Sequence, residues 1–159
     1  MRILLAAAVV ALAACSSSAP ATPKQNAQIA EPDFEIRQIV GPAELNYIDG
    51  EMEVKFRLDI GNRADIPITL SRVEMVTVNP PGGAYTLDNR HNRAYYFKKT
   101  INPHQVASIE FWAKAIGYGR GNRENEPVTV RGSLYFESPN GGLRKVFVKE
   151  LGQYPGQND

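Results

Sequence analysis

The chain has 159 residues, with 18 Lys and Arg against 17 Asp and Glu, 43% hydrophobic residues, two histidines and one cysteine. So even a balance of charge lacks the broad basic footprint of a nucleic-acid binder, and no nucleic-acid partner is expected. A single cysteine excludes an internal disulfide, so any folded domain must be held by its apolar core.

The chain opens with one cation, Arg2, followed by twelve uncharged apolar residues, Ile3 to Ala14. That is the length of a signal-peptide apolar region and falls short of the roughly 20 residues a spanning helix needs. Leu12-Ala13-Ala14-Cys15 closes the run. It resembles the bacterial lipobox, in which a peptidase cuts before a cysteine that already carries diacylglycerol. The resemblance implies a signal peptide over 1–14 and a mature chain that begins at a lipidated Cys15, held in the membrane by several acyl chains. Ser16 stands where an aspartate would alter sorting, which by the same resemblance points to the outer membrane of a Gram-negative envelope, facing the periplasm. An ordinary secretory signal or an apolar first helix are the competing readings. Removal of 1–14 takes away Arg2 and leaves 17 charges of each sign.

Residues 15–32 are rich in Ser, Pro, Ala and Gln and carry few large apolar side chains, so they cannot offset the entropy of ordering. They read as a tether, with a reach of at most about 60 Å when stretched and roughly 25 Å as a flexible coil.

Period-two alternation begins at Phe34, and the domain is expected over 33–151. Phe34, Ile36, Gln38 and Val40 share one face of a first strand, which Gly41-Pro42 ends. From Glu51 to Ile60, Met52, Val54, Phe56, Leu58 and Ile60 alternate with Glu51, Glu53, Lys55, Arg57 and Asp59. One face is dry and the other wet, as in an antiparallel sheet. After the turn Gly61 to Asp65, a strand runs from Ile66 to Val78. Pro67 places its start at an edge or just past a bulge, and the alternation slips at Ser71-Arg72.

Short strands are expected at Tyr85 to Leu87 and Ala94 to Lys99. The segment 104–116 fits either a strand or a helix face; its Ile, Phe and Trp favour strand, and Trp112 is expected in the core. A polar loop, Gly117 to Glu126, leads to the alternating strand Val128 to Glu137. Pro139-Asn140-Gly141-Gly142 makes a hairpin turn into a last strand, Leu143 to Leu151, and 152–159 read as a disordered tail. About seven strands without a convincing helix predict an all-β, immunoglobulin-like, two-sheet antiparallel sandwich, with a partly closed barrel as the alternative.

Asp59 to Glu74 places an alternating strand before an Asn-containing polar turn and a short apolar strand with proline. This stretch is similar to the water-stress and hypersensitive-response domain of late-embryogenesis-abundant proteins, with Gly61-Asn62-Arg63 where that family usually has Asn-Pro-Asn. The resemblance implies a binding or protective sandwich, without catalytic residues, over Phe34 to Leu151.

Little here points to chemistry. His91 and His104 lie in loops without the spacing of zinc ligands. No Gly-x-Ser-x-Gly elbow appears, and the glycines at 117, 119 and 121 lack the ending of a phosphate loop. The expectation is a non-enzyme that needs neither cofactor nor metal. Arg90, His91, Arg93, Tyr95, Tyr96 and Lys98 form the most suggestive cluster. Cations beside aromatics could hold a lipid phosphate, a glycan or an acidic partner, with Arg120 and Arg123 as further candidates. The competing reading is a solvated loop entering an edge strand, where Lys98 and Lys99 discourage edge pairing. The leading expectation is an anchored envelope protein that docks on another protein; the alternative is a module that binds lipid or cell-wall glycan.

Overall fold

The computed structural model describes residues 30–41, 49–78, 83–88, 90, 93–118 and 126–152. The segment read as a signal peptide, Cys15, the expected tether up to residue 29, His91, Arg120, Arg123 and the expected tail from residue 153 lie outside the described residues.

The described residues form eight strands: β1 (Asp33–Val40), β2 (Gly50–Gly61), β3 (Ile68–Thr77), β4 (Tyr85–Leu87), β5 (Ala94–Ile101), β6 (Val106–Gly117), β7 (Val128–Ser138) and β8 (Gly141–Leu151). They form two antiparallel sheets, ordered β1-β2-β6-β4 and β5-β3-β7-β8. This is the expected two-sheet sandwich, with one strand more than the anticipated seven.

The alternation in the sequence explains why the layers close. In β2, Val54, Phe56, Leu58 and Ile60 are fully buried, and across the sandwich they meet a core that includes Leu70, Val73, Val130, Leu134 and Phe136. Aromatic rings concentrate at one place: Phe111 lies 5.7 Å from Phe56, 4.9 Å from Tyr95 and 5.5 Å from Phe97, centroid to centroid. Tyr85 is buried as well, and its hydroxyl donates to Gln38 Oε1 at 2.8 Å, so the one polar atom it brings inside is satisfied.

The segment 106–117 is a strand, and Trp112 is not in the core. β6 turns Phe111, Ala113 and Ala115 inward, so Trp112 stands on the solvent face, 47% exposed and in register with Lys55, whose Nζ lies 5.7 Å from the ring centroid. Pro67 is exposed and precedes β3, which lies inside its sheet, so the missing donor falls outside the ladder.

The irregularity expected at Ser71-Arg72 is a register shift between Leu70 and Arg72 toward both neighbouring strands. Its effect is to reverse the phase of β3. Ile68 and Leu70 point inward before it; Val73, Met75 and Thr77 do so after it. Arg72, Glu74 and Val76 are thereby turned to the outer face of the β5-β3-β7-β8 sheet.

Candidate functional site

That outer face is built in rows that follow from the register. One row carries Tyr96, Arg72, Tyr135 and Arg144; the next carries Ala94, Glu74, Ser133 and Val146; a third carries Val76, Arg131 and Val148. Each row takes one residue from each adjacent strand, so its members are far apart in sequence and side by side in space.

The first row is a cation–aromatic stack. The Arg72 guanidinium carbon lies 4.0 Å from the Tyr135 ring centroid and that of Arg144 lies 5.6 Å from it. The Tyr135 hydroxyl donates to Glu74 Oε2 at 2.8 Å, and Arg72 Nε is 3.2 Å from Glu74 Oε1. That last contact is an ion pair without hydrogen-bond alignment, so the covered Nε has no hydrogen-bond partner among the described residues. Cover by neighbours disfavours the Arg72 charge, but the Tyr135 hydroxyl and the Glu74 carboxylate outweigh it and raise its pKa above the ordinary arginine value. Arg144 donates from Nε and Nη2 to the buried Ser133 hydroxyl at 3.1 and 2.9 Å.

Between these rows lies an open depression of about 610 Å³, lined among others by Glu74, Val76, Arg93, Arg131, Val146 and Val148. A second of about 490 Å³ adjoins it over Arg72, Tyr96, Tyr135 and Arg144. Arginines outnumber carboxylates around both. Among the described residues, Arg131 and Arg144 have no carboxylate partner. Val146 and Val148 are 64% and 67% exposed, an apolar pair two residues apart on one strand face.

The cluster anticipated at residues 90–98 is divided by the alternation of β5. Tyr95 is a core residue, 7% exposed, and is withdrawn from any surface role; burial pushes its hydroxyl pKa up to about 12. Arg90 pairs with the buried Asp88, its Nε 3.1 Å from Oδ1. Lys98 is exposed on β5, Tyr96 is 75% exposed in the stacked row, and Arg93 lines the larger depression. Of the anticipated residues, Tyr96 and Arg93 join the outer face, together with Arg72, Arg131, Arg144 and the two valines. His104, in the β5–β6 turn, pairs with Asp65 at 2.9 Å on an exposed corner.

The four edges of the sandwich differ. β4 has three residues. The ladders of β1 and β5 each contain a register shift, and β5 exposes Lys98, Lys99 and Thr100. β8 is long and regular, its 11 residues pairing with β7 from Gly141 to Leu151 without a shift, and its charges are Arg144 and Glu150 on the outer phase and Lys145 and Lys149 on the inner one. Its inward phase meets the other sheet, with Phe147 5.4 Å from Phe34 and Lys145 ion-paired to Glu31.

No protein-family model matches the chain, and no curated protein matches it. Among solved structures it is similar to structural-genomics target SoR45, 12% identical with a TM-score of 0.46 over 80% of this chain and 88% of that one. It is also similar to a protein from Archaeoglobus fulgidus, 15% identical with a TM-score of 0.47 over 74% and 91%. The fold described above rests on the strand order and register of the chain itself.

Proposed function

We propose that the chain is a non-catalytic, membrane-anchored envelope lipoprotein whose β-sandwich is a protein-interaction module, docking a partner's extended segment along β8. The carrying observation is the edge itself: 11 residues without a register shift, with Val146 and Val148 exposed beside it. Sheets normally blunt such edges with short strands, bulges or charges; β8 keeps only its charges, and a long regular edge is a template for strand addition. The lipobox-like Leu12 to Cys15 supports the anchor, and the similarity of Asp59 to Glu74 to the water-stress domain supports a binding or protective role.

The test is crosslinking of the wild-type chain in its native cells, followed by mass spectrometry, beside Val146→Lys/Val148→Lys and Cys15→Ser variants. The expected result is an envelope protein captured by the wild type and lost with the two lysines, and release from the membrane fraction with Cys15→Ser. The stacked row Tyr96, Arg72, Tyr135 and Arg144 favours a second reading, a module for anionic lipid or cell-wall glycan. Capture of lipid or glycan fragments alone, lost with Arg72→Ala and Arg144→Ala, would replace the docking proposal with that one.

A further inference from the structure

We infer that the strand added at β8 is a second copy of β8, related by a two-fold axis at Phe147 and giving one continuous eight-stranded sheet. This rests on strand addition at β8 and adds the identity of the partner. The outward phase of β8 reads Arg144, Val146, Val148, Glu150. An antiparallel copy centred on Phe147 sets Arg144 opposite Glu150 and Val146 opposite Val148, and the symmetry repeats both pairs. Opposite charges and β-branched neighbours in directly facing positions are the pairs that stabilise antiparallel strands. Such an isologous contact closes on itself and uses up the β8 edge, so the continuous sheet ends in the two β5 strands, with their register shift and exposed Lys98 and Lys99.

The register is selective. Sliding the copy to centre on Val146 faces Arg144 with Val148 and Glu150 with Gly142; centring on Val148 faces Arg144 with Gly152 and Val146 with Glu150. Both slides lose the two Arg144–Glu150 pairs, though they also part Lys145 from Lys149. On the inward phase the Phe147-centred register joins Leu143 to Leu151 and brings Lys145 opposite Lys149. The second pairing, repeated by the symmetry, is unfavourable, and the Glu31 carboxylate on Lys145 reduces that repulsion. Arg144 and Glu150 have no ion-pair partner of their own within the described residues, and Arg144, which gives Nε and Nη2 to Ser133 on the β7 side, keeps Nη1 for the copy's Glu150.

The test uses the full chain carrying Cys15→Ser, so that introduced cysteines are the only thiols. Val146→Cys protein mixed with Val148→Cys protein is expected to give a disulfide-linked pair on mild oxidation, while each protein alone gives little. Equal yields in all three samples, or none in any, would overturn the register. In sedimentation, Arg144→Glu or Glu150→Arg alone should raise the dimer dissociation constant about tenfold, because two facing pairs become like-charged, and the double variant should restore it to within about threefold. A chain that stays monomeric at every concentration overturns the self-pairing. If such a monomer still captures another envelope protein in cells, and Val146→Lys/Val148→Lys abolishes that capture, strand addition stands without self-pairing.

Discussion

Asn62 Nδ2 donates to the backbone carbonyl of Ile101 at 3.0 Å, tying the end of β2 in one sheet to the end of β5 in the other. The same nitrogen donates to the Ile66 carbonyl at 2.8 Å, and Oδ1 accepts from the Ala64 amide at 2.9 Å. With its own amide bound to the Gln105 carbonyl at 2.9 Å, one side chain of 2% exposure organises both turns at this end of the sandwich.

Asn62→Asp keeps the shape but aims a carboxylate at two carbonyl oxygens, and Asn62→Ala leaves those carbonyls without their donor. Each should cost about 2–4 kcal/mol of stability, with Asp the worse of the two above its pKa. Urea midpoints of the variants check this; a change below about 0.5 kcal/mol would show that water replaces the side chain without loss.

Tyr95 predicts the alkaline limit of the fold. Its hydroxyl is held neutral by burial up to about 12, against 10 in the unfolded chain. The native state therefore keeps a proton that the unfolded state has lost, so this contribution is complete below pH 10 and disappears as pH rises through 12. Tyr95→Phe retains the ring against Phe111 and should flatten the fall in stability over that window. The readout is the denaturation midpoint followed from pH 9 to about 12.

Asp59 acts at the opposite limit. The Ser108 hydroxyl, with Arg57 and Arg37, lowers its pKa below the ordinary 3.8 despite the cost of burial. A depressed carboxylate stabilises the fold above its unfolded pKa and loses that effect as pH falls through the folded value. Ser108→Ala removes the leading cause, so the Asp59 pKa should rise and acid unfolding should begin at higher pH. Carbon-13 titration of the Asp59 carboxyl measures the shift directly.

Gly132 predicts a packing failure. A Cβ there would lie 2.2 Å from the Glu74 carbonyl oxygen and 2.6 Å from Phe147 Cζ, a ring that covers the glycine across the β7–β8 ladder. Gly132→Ala should destabilise by about 1–3 kcal/mol, since a backbone oxygen cannot step aside as a side chain can. Because Phe147 sits at the centre of β8, the variant should also weaken β8 pairing. A thermal midpoint equal to that of the wild type would contradict the close approach.

The strands were legible because their chemistry is local. Met52 to Ile60 alternates without error, the slip at Ser71-Arg72 announces the β3 irregularity, and Pro139 to Gly142 marks the last hairpin. The size of Trp112 suggests burial, whereas the inward phase of β6 is filled by Phe111 and two alanines beneath an already aromatic core. The site was harder to read. Arg90 to Lys98 looked like one cluster because its residues are consecutive, yet period two sends Tyr95 inward and Tyr96 outward. Arg72, Tyr135 and Arg144 meet only through the β3–β7–β8 order, and no short stretch of sequence carries that order. The outward Arg144-Val146-Val148-Glu150 pattern could have been found from the alternation of β8 alone.

Trp112 is the chain's one tryptophan, and its place on the wet face of β6 beside Lys55 decides what light can report about this protein. Its indole already meets water in the native state, so unfolding should shift its emission only slightly. It also stands on the sheet that excludes β8, so strand pairing there should leave its fluorescence unchanged. The natural fluorophore is thus a reporter for whatever touches the β1-β2-β6-β4 face, and an optical probe of β8 has to be introduced.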